Sequence, residues 1–196
     1  MSPLSQLVQI SFGFPFRGRI PHFPDGDARV IQMKDVDEPD IVYWDQLINT
    51  KLTGRRQPDW LQTGDVIFLL RGNWNFAVYI DEVPFPTVIS PHFFLLRVKD
   101  HGHILPKFLA WQINQSPAQK YLNASAEGSV QRSIRKGVLE HLPIVVPPIK
   151  KQKIVVNLAE AAKSEAEAYR RLIKNREQVI SSVASKILNP NAQGAY

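Results

Sequence analysis

Three stretches of the chain gather side chains that can hold a polyanion and distinguish one base from another. In "LLRGNWNFAVY", residues 69–79, a short apolar run delivers Arg71, Asn73, Trp74 and Asn75 at its end. Arginine makes bidentate bonds to guanine, asparagine to adenine, and an exposed tryptophan stacks or wedges against bases. The same residues suit an ordinary hairpin turn, in which Gly72 and the asparagines serve backbone geometry and Trp74 folds back onto the core. "KLTGRRQPDW", residues 51–60, offers Arg55 and Arg56 to phosphates, although paired arginines also make a plain soluble surface. "SVQRSIRK", residues 129–136, carries Gln131, Arg132, Ser133, Arg135 and Lys136. If that stretch is extended, Arg132 and Lys136 share one face and Arg135 lies opposite beside Ser133, a phosphate-binding strip.

Other chemistries fail on residue type or on spacing. The absence of cysteine removes thiolate nucleophiles, thiolate metal sites and disulfides, and fits a reducing compartment. Of His22, His92, His101, His103 and His141, only His101 and His103 are neighbours, and no third ligand stands at a metal-site spacing. They read as turn histidines. Pro-Asp pairs begin at Pro24, Pro39 and Pro58, yet no Asp or Glu has Lys two residues later, against a metal-carboxylate nuclease. A phosphate loop, a dinucleotide fingerprint and a nucleophile elbow are all missing. "NPNA" at Asn189 lacks the second proline and the aromatic of an amino-methyltransferase loop. No cofactor and no metal are expected, and an enzyme is the least favoured class.

The elements that must position these residues are legible in outline. With 196 residues, 44% hydrophobic and 21% charged, the chain suits one ordinary domain plus an appendage, with disorder only at its ends. No apolar run approaches the roughly 18 residues of a membrane span. The N-terminus has neither a basic region nor a continuous apolar stretch, so no signal peptide is expected and the cytoplasm is the default. Strands are predicted at residues 29–33, 41–44, 66–70, 76–80 and 90–98, with 66–70 central and 76–80 returning antiparallel beside it. The period then becomes helical over 105–113, where Pro106 suits a first turn. A second helix is predicted from an N-cap at Ser116 with Pro117 behind it. Residues 142–146 read as a core strand, stopped by Pro147-Pro148. The fold class is therefore α+β, a mixed and mainly antiparallel sheet with short helices and then one long C-terminal helix.

From about residue 150 to 188 there is neither glycine nor proline. At about 1.5 Å per residue such a helix spans roughly 55 Å, more than a domain of this size needs for itself. Val155, Ala162, Tyr169 and Val183, interrupted by Arg176, then Leu158, Leu172 and Val179, interrupted by Glu165, then Ile173, Ile180 and Ile187 fall on stripes of period seven. That is a coiled-coil-like seam, and its simplest partner is a second copy of itself. Residues 1–148, 149–190 and a frayed 191–196 are the expected divisions. Charge follows them unevenly: residues 1–50 carry four basic and seven acidic side chains, and residues 101–196 carry fourteen and six. The excess suits a polyanion-facing surface, or a solvated helix with spare lysines.

The order "GDVIFLLRGN…FAVYID…SPHFFLLRV…LPKFLAWQINQSPAQKYL…AEGSVQRSIRKGVLEHLPIVVPPIKKQKIV" resembles the specificity (S) subunits of type I restriction–modification systems. The likeness covers nearly the whole chain and is most specific over residues 126–152. It implies a non-catalytic target-recognition domain that reads double-stranded DNA. It also implies a long helix that sets spacing and docks methyltransferase (modification) subunits, together with a restriction subunit where one is present. Adenine methylation and ATP-dependent cleavage would belong to those partners. Full-length members carry two recognition domains and two helices, whereas this sequence holds one of each. A homodimer through antiparallel packing of residues 150–188 would restore the pair and read a symmetric bipartite site. Lys150 and Lys151 stand where acidic residues commonly precede the glutamine, which removes the basis for a charged docking contact there. The resemblance does not fix which residues touch bases, so that assignment stays with the three stretches above. The competing reading is a structural adaptor that assembles partner proteins through its long helix without reading DNA.

Overall fold

The computed structural model describes residues 1–36, 41–53, 57–72, 74–125 and 132–188, with only the backbone of residue 132. The chain divides into two compact units, Met1–Lys153 and Ile154–Tyr196.

The first unit opens with a two-residue strand, β1 (Ser2–Pro3), one helical turn, α1 (Leu4–Leu7), and β2 (Val8–Phe12). Next come β3 (Ala28–Ile31), β4 (Ile48–Thr50), β5 (Val66–Leu69), β6 (Arg71–Gly72), β7 (Ala77–Tyr79), β8 (Thr87–Ile89) and β9 (Phe93–Val98). The helices α2 (Pro106–Ile113) and α3 (Ser116–Ser125) precede β10 (Arg132–Ser133), the short α4 (Lys136–Glu140) and β11 (Pro143–Ile144). α5 (Ile149–Leu188) begins in this unit and supplies all that is described of the second.

β2, β9, β5 and β7 form an antiparallel sheet in that order. Every residue of β5 is apolar and buried, as a strand covered on both faces must be. One face of this sheet, with Ile67, Leu69, Val78, Phe93 and Leu95, shares a core with Ile31 and Ile89 of a second sheet, ordered β4-β3-β8. There β3 runs antiparallel to β4 and parallel to β8, so the sheets are mixed overall. α2 lies against β5 and β7, with Phe108, Leu109 and Ile113 buried at helical spacing. Pro106 occupies its first turn, where the missing N–H costs nothing. The chain steps from one sheet to the other at Gly13: Gly13 N–H bonds Phe93 O at 3.1 Å and Phe14 N–H bonds Ile89 O at 2.8 Å. A Cβ at Gly13 would stand 2.0 Å from Ser90 O, so only glycine permits that crossing.

The α+β class and the long helix are as expected, and β5 and β7 pair antiparallel as predicted. Three local expectations differ. Residues 41–44 are not a strand. Tyr43 N–H bonds Asp35 O and Trp44 N–H bonds Val42 O, local turns that spend the groups a ladder needs, and Trp44–Gln46 is a 3-10 turn. The strand lies further on, at β4, so fit to local turns outweighed β-propensity. The predicted core strand 142–146 shrinks to β11, which pairs only with β1. Pro143, Pro147 and Pro148 have no N–H for a ladder, so only Leu142 and Ile144 point inward while Pro143 and Val145 face out. Ser116 is the first residue of α3 rather than its cap.

In the second unit α5 is a single helix without Gly or Pro. Leu158, Tyr169, Leu172, Ile173, Val179, Ile180, Val183 and Ile187 are each more than half exposed on it. Ala162 is exposed and Val155 half-buried. Among the described residues no helix is long and apolar enough to cross a membrane.

Candidate nucleic-acid interface

The end of β5 brings two of the three basic stretches together. Past Leu69 the strand continues through Leu70, whose N–H bonds His92 O at 3.0 Å and whose carbonyl accepts Ile134 N–H at 2.9 Å. β6 then pairs antiparallel with β10, setting Arg71 opposite Ser133 and Gly72 opposite Arg132. Gly72 has φ +146°, a conformation that side-chain-bearing residues rarely adopt. It lets the chain turn back toward β7. Asn75 closes this turn from inside: it is buried, and its Nδ2 donates to Leu69 O at 3.0 Å.

Trp74 stays at the surface, 46% exposed, with its ring 5.2 Å from Phe76. Its Nε1–H donates to Gln119 Oε1 at 3.2 Å. Arg71 is exposed at the root of the same turn. Beyond Ser133 the chain reaches the far side of the sheet end, where Arg135 precedes α4 as an exposed cap residue and Lys136 opens the helix. Lys136 Nζ lies 3.7 Å from Glu140 and 5.9 Å from the ring centre of Phe12, the last residue of β2. Phe12 is half exposed and stacks at 4.9 Å on buried Phe94. Residues 132–136 thus run across the end of the four-stranded sheet, from β6 to β2.

The opposite end of that sheet is mixed in charge, with Asp65, Asp81, Glu82 and Asp100 beside Arg97, Lys99 and Lys107. Asp65 is buried there and bonds Arg97 through both oxygens, at 2.8 and 2.7 Å, while also accepting Gln62 N–H. The hydrogen bonds to Asp65 hold the Arg97 guanidinium above its already high ordinary pKa, against the opposing effect of burial.

Of the residues singled out by sequence, Arg71, Trp74, Arg135 and Lys136 come to one edge. The β10 backbone at Arg132 joins them. Asn75 does not, because its amide is committed to the hairpin and buried. The extended strip does not form as drawn: Lys136 opens α4, since the chain turns helical after Arg135, so it shares no strand face with Arg132. Arg55, Arg56, Asn73 and Gln131 lie outside the described residues. Sequence reasoning missed Phe12, Gln119 and Asn114. A lone aromatic ending an edge strand and two amides near a helix junction carry no signal until their neighbours are known. His103 uses its carbonyl to accept a bond from Gln152, and among the described residues no cluster of three potential metal ligands exists.

The chain thus presents a compact mixed-sheet unit with a basic, aromatic edge and a long helix with exposed apolar stripes. Residues 9–164 match the model of the type I restriction modification DNA specificity domain, and the chain belongs to that family. Similar solved structures include the S subunit of a type I restriction–modification system from M. genitalium. It has 15% identity and a TM-score of 0.61, over 98% of this chain and 46% of that one. A structure described by the complex assembly and conformational transition of the type I R-M system aligns at TM-score 0.68 and 16% identity, over 95% and 44%. The HsdS subunit from Thermoanaerobacter tengcongensis aligns at 0.65 and 16%, over 100% and 50%. At these identities the likeness is one of fold, and the chain spans about half the length of the structures it matches. No curated protein matches it significantly.

Proposed function

We propose that this chain reads one half of a bipartite DNA target through the Arg71 edge. We also propose that it pairs through α5 with a second copy, so that two recognition units face two half-sites. Catalysis is left to methyltransferase subunits docked on the pair. The carrying observation is the β6–β10 pairing, which brings Arg71 and, from a distant part of the sequence, Arg135 and Lys136 to the same end of the sheet as the exposed Trp74. In this reading Arg71 contacts a base edge, with Asn73 beside it in sequence, and Arg135 and Lys136 hold phosphates. Arg132, Gln131, Arg55 and Arg56 remain phosphate candidates by residue type. The bare stripe of α5 supports the second copy, because apolar residues spaced over that length need a helix of similar length to cover them.

The test is the pattern of modified adenine in DNA from cells that carry this chain with a methyltransferase partner. A symmetric, gapped motif that disappears or relaxes in Arg71→Ala supports the reading, and an asymmetric motif removes the homodimer. The adaptor reading is favoured by the same bare stripe. It would prevail if the assembled complex had no affinity for DNA.

A further inference from the structure

A surface hairpin can read bases only when its side chains arrive in one fixed geometry, and this hairpin is braced from behind. Asn114, the residue that ends α2, meets Ala77 of β7 at two points: its Oδ1 accepts Ala77 N–H at 2.8 Å and its Nδ2 donates to Ala77 O at 2.8 Å. A single amide thereby replaces a neighbouring strand on the outermost strand of the sheet. One turn further on, Gln119 of α3 donates from Nε2 to Ile113 O at 2.9 Å. That bond fixes which way the amide faces, and its Oε1 is left to receive the Trp74 indole N–H. The indole is held by its one donor atom at one side and by Phe76 at another, with its remaining surface open.

We infer that Gln119 is a positioning residue which presents Trp74 as a fixed platform for stacking on a base or deoxyribose, with Asn114 anchoring the strand behind it. The inference rests on the reading of this edge as the DNA-facing one, and names base stacking as part of its chemistry. An unrestrained indole at the surface samples several rotamers and must lose them on binding DNA. The Ile113–Gln119–Trp74 chain of bonds removes that freedom beforehand.

The experiment is a double-mutant cycle on the full chain with Gln119→Ala, Trp74→Phe and both together. The probe is the duplex most enriched from a pool of 30-base-pair random-sequence DNA, followed by fluorescence anisotropy. Phenylalanine keeps a ring but has no N–H. Losing one neutral hydrogen bond should weaken binding about 3- to 10-fold in Gln119→Ala, with an unchanged salt slope. The double variant should bind no worse than Trp74→Phe alone, because Gln119 then has nothing to hold. A merely structural role would persist without the indole N–H, so fully additive losses overturn the inference. Arg71→Ala and Trp74→Ala separate the two levels. If both leave binding intact, the edge is not the DNA face and the inference falls with it. If both weaken binding while the cycle is additive, only the role of Gln119 is refuted.

Discussion

Replacing Gln152 by leucine should be among the most damaging single changes in the first unit, although the two side chains are of similar size. Gln152 is completely buried in the first turn of α5. Its Oε1 accepts the N–H of Leu105, the cap residue of α2, at 2.8 Å. Its Nε2 donates to His103 O at 3.0 Å and Pro147 O at 2.7 Å. One amide thus joins the entrances of two helices. Leucine would orphan one N–H and two carbonyls. A buried N–H without a partner costs about 1–3 kcal/mol, and carbonyls somewhat less. The greater apolarity of leucine returns about 1 kcal/mol. The net expectation is about 2–4 kcal/mol, or roughly a 5–15 °C fall in melting temperature for a domain of this size. Calorimetry of the full chain measures it, with Lys151→Leu as an exposed neighbour that should change stability by less than about 0.5 kcal/mol. Gln152→Glu sharpens the test. Burial and the two carbonyls, opposed by the Leu105 N–H, would raise that carboxyl's folded-state pKa, so the ionisation part of its cost is absent below the unfolded value and grows as pH rises. Its deficit should therefore widen from pH 5 to pH 8. A Gln152→Leu chain melting within about 2 °C of the parent would refute the reasoning.

Asp65→Ala removes both bonds to Arg97 and the acceptor for Gln62 N–H. Because the Arg97 side chain is 34% exposed and can rehydrate, the expected loss is only about 1.5–3 kcal/mol, read from urea unfolding. On α5, Leu172 and Ile180 are 58% and 61% exposed. Covering each should contribute about 1–2 kcal/mol per protomer. Leu172→Glu with Ile180→Glu should then weaken self-association at least about 100-fold by sedimentation velocity. A variant that still dimerised, or a parent monomeric at tens of micromolar, would remove the seam. Arg135→Ala and Lys136→Ala should each lower the slope of log affinity against log salt by about 1 without altering the preferred sequence. Arg71→Ala should change the preferred base instead, as a selection from random duplexes would reveal.

What could be read from sequence followed from periodicity and residue type. Alternation and apolar runs located β5, β7 and β9, and the absence of Gly and Pro located α5. Where prediction failed, hydrogen-bond partners had decided the matter. Residues 41–44 have strand composition, yet their backbone groups found Asp35 and Val42 before any ladder. Residues 142–146 are apolar, yet the prolines around them lack the donors a sheet requires. No local pattern records either competition. The same holds for β2, which pairs with β9 across more than half the first unit and so has no sequence-near partner to betray it.

The candidate site divides along the same line. Cations announce themselves, since Arg71, Arg135 and Lys136 have few uses other than meeting charge or water, and the fold did bring them to one edge. Amides do not, because an amide's role depends on what lies opposite it. Asn75 read as an adenine contact and proves to be an internal strut. Asn114 and Gln119 carried no sequence signal, and Gln152 only marked the end of a family-like stretch, yet each ties two separate segments together. In a unit whose two sheets are built of short strands, such amides perform the work that longer strands perform elsewhere, satisfying donors where loops meet. This ties function to stability. A recognition edge built on short strands can vary its exposed residues freely only if the struts beneath do not change with them. Substitutions at Arg71 and Trp74 should accordingly alter DNA choice at little cost in stability, and substitutions at Asn75 or Asn114 should cost stability before they alter choice.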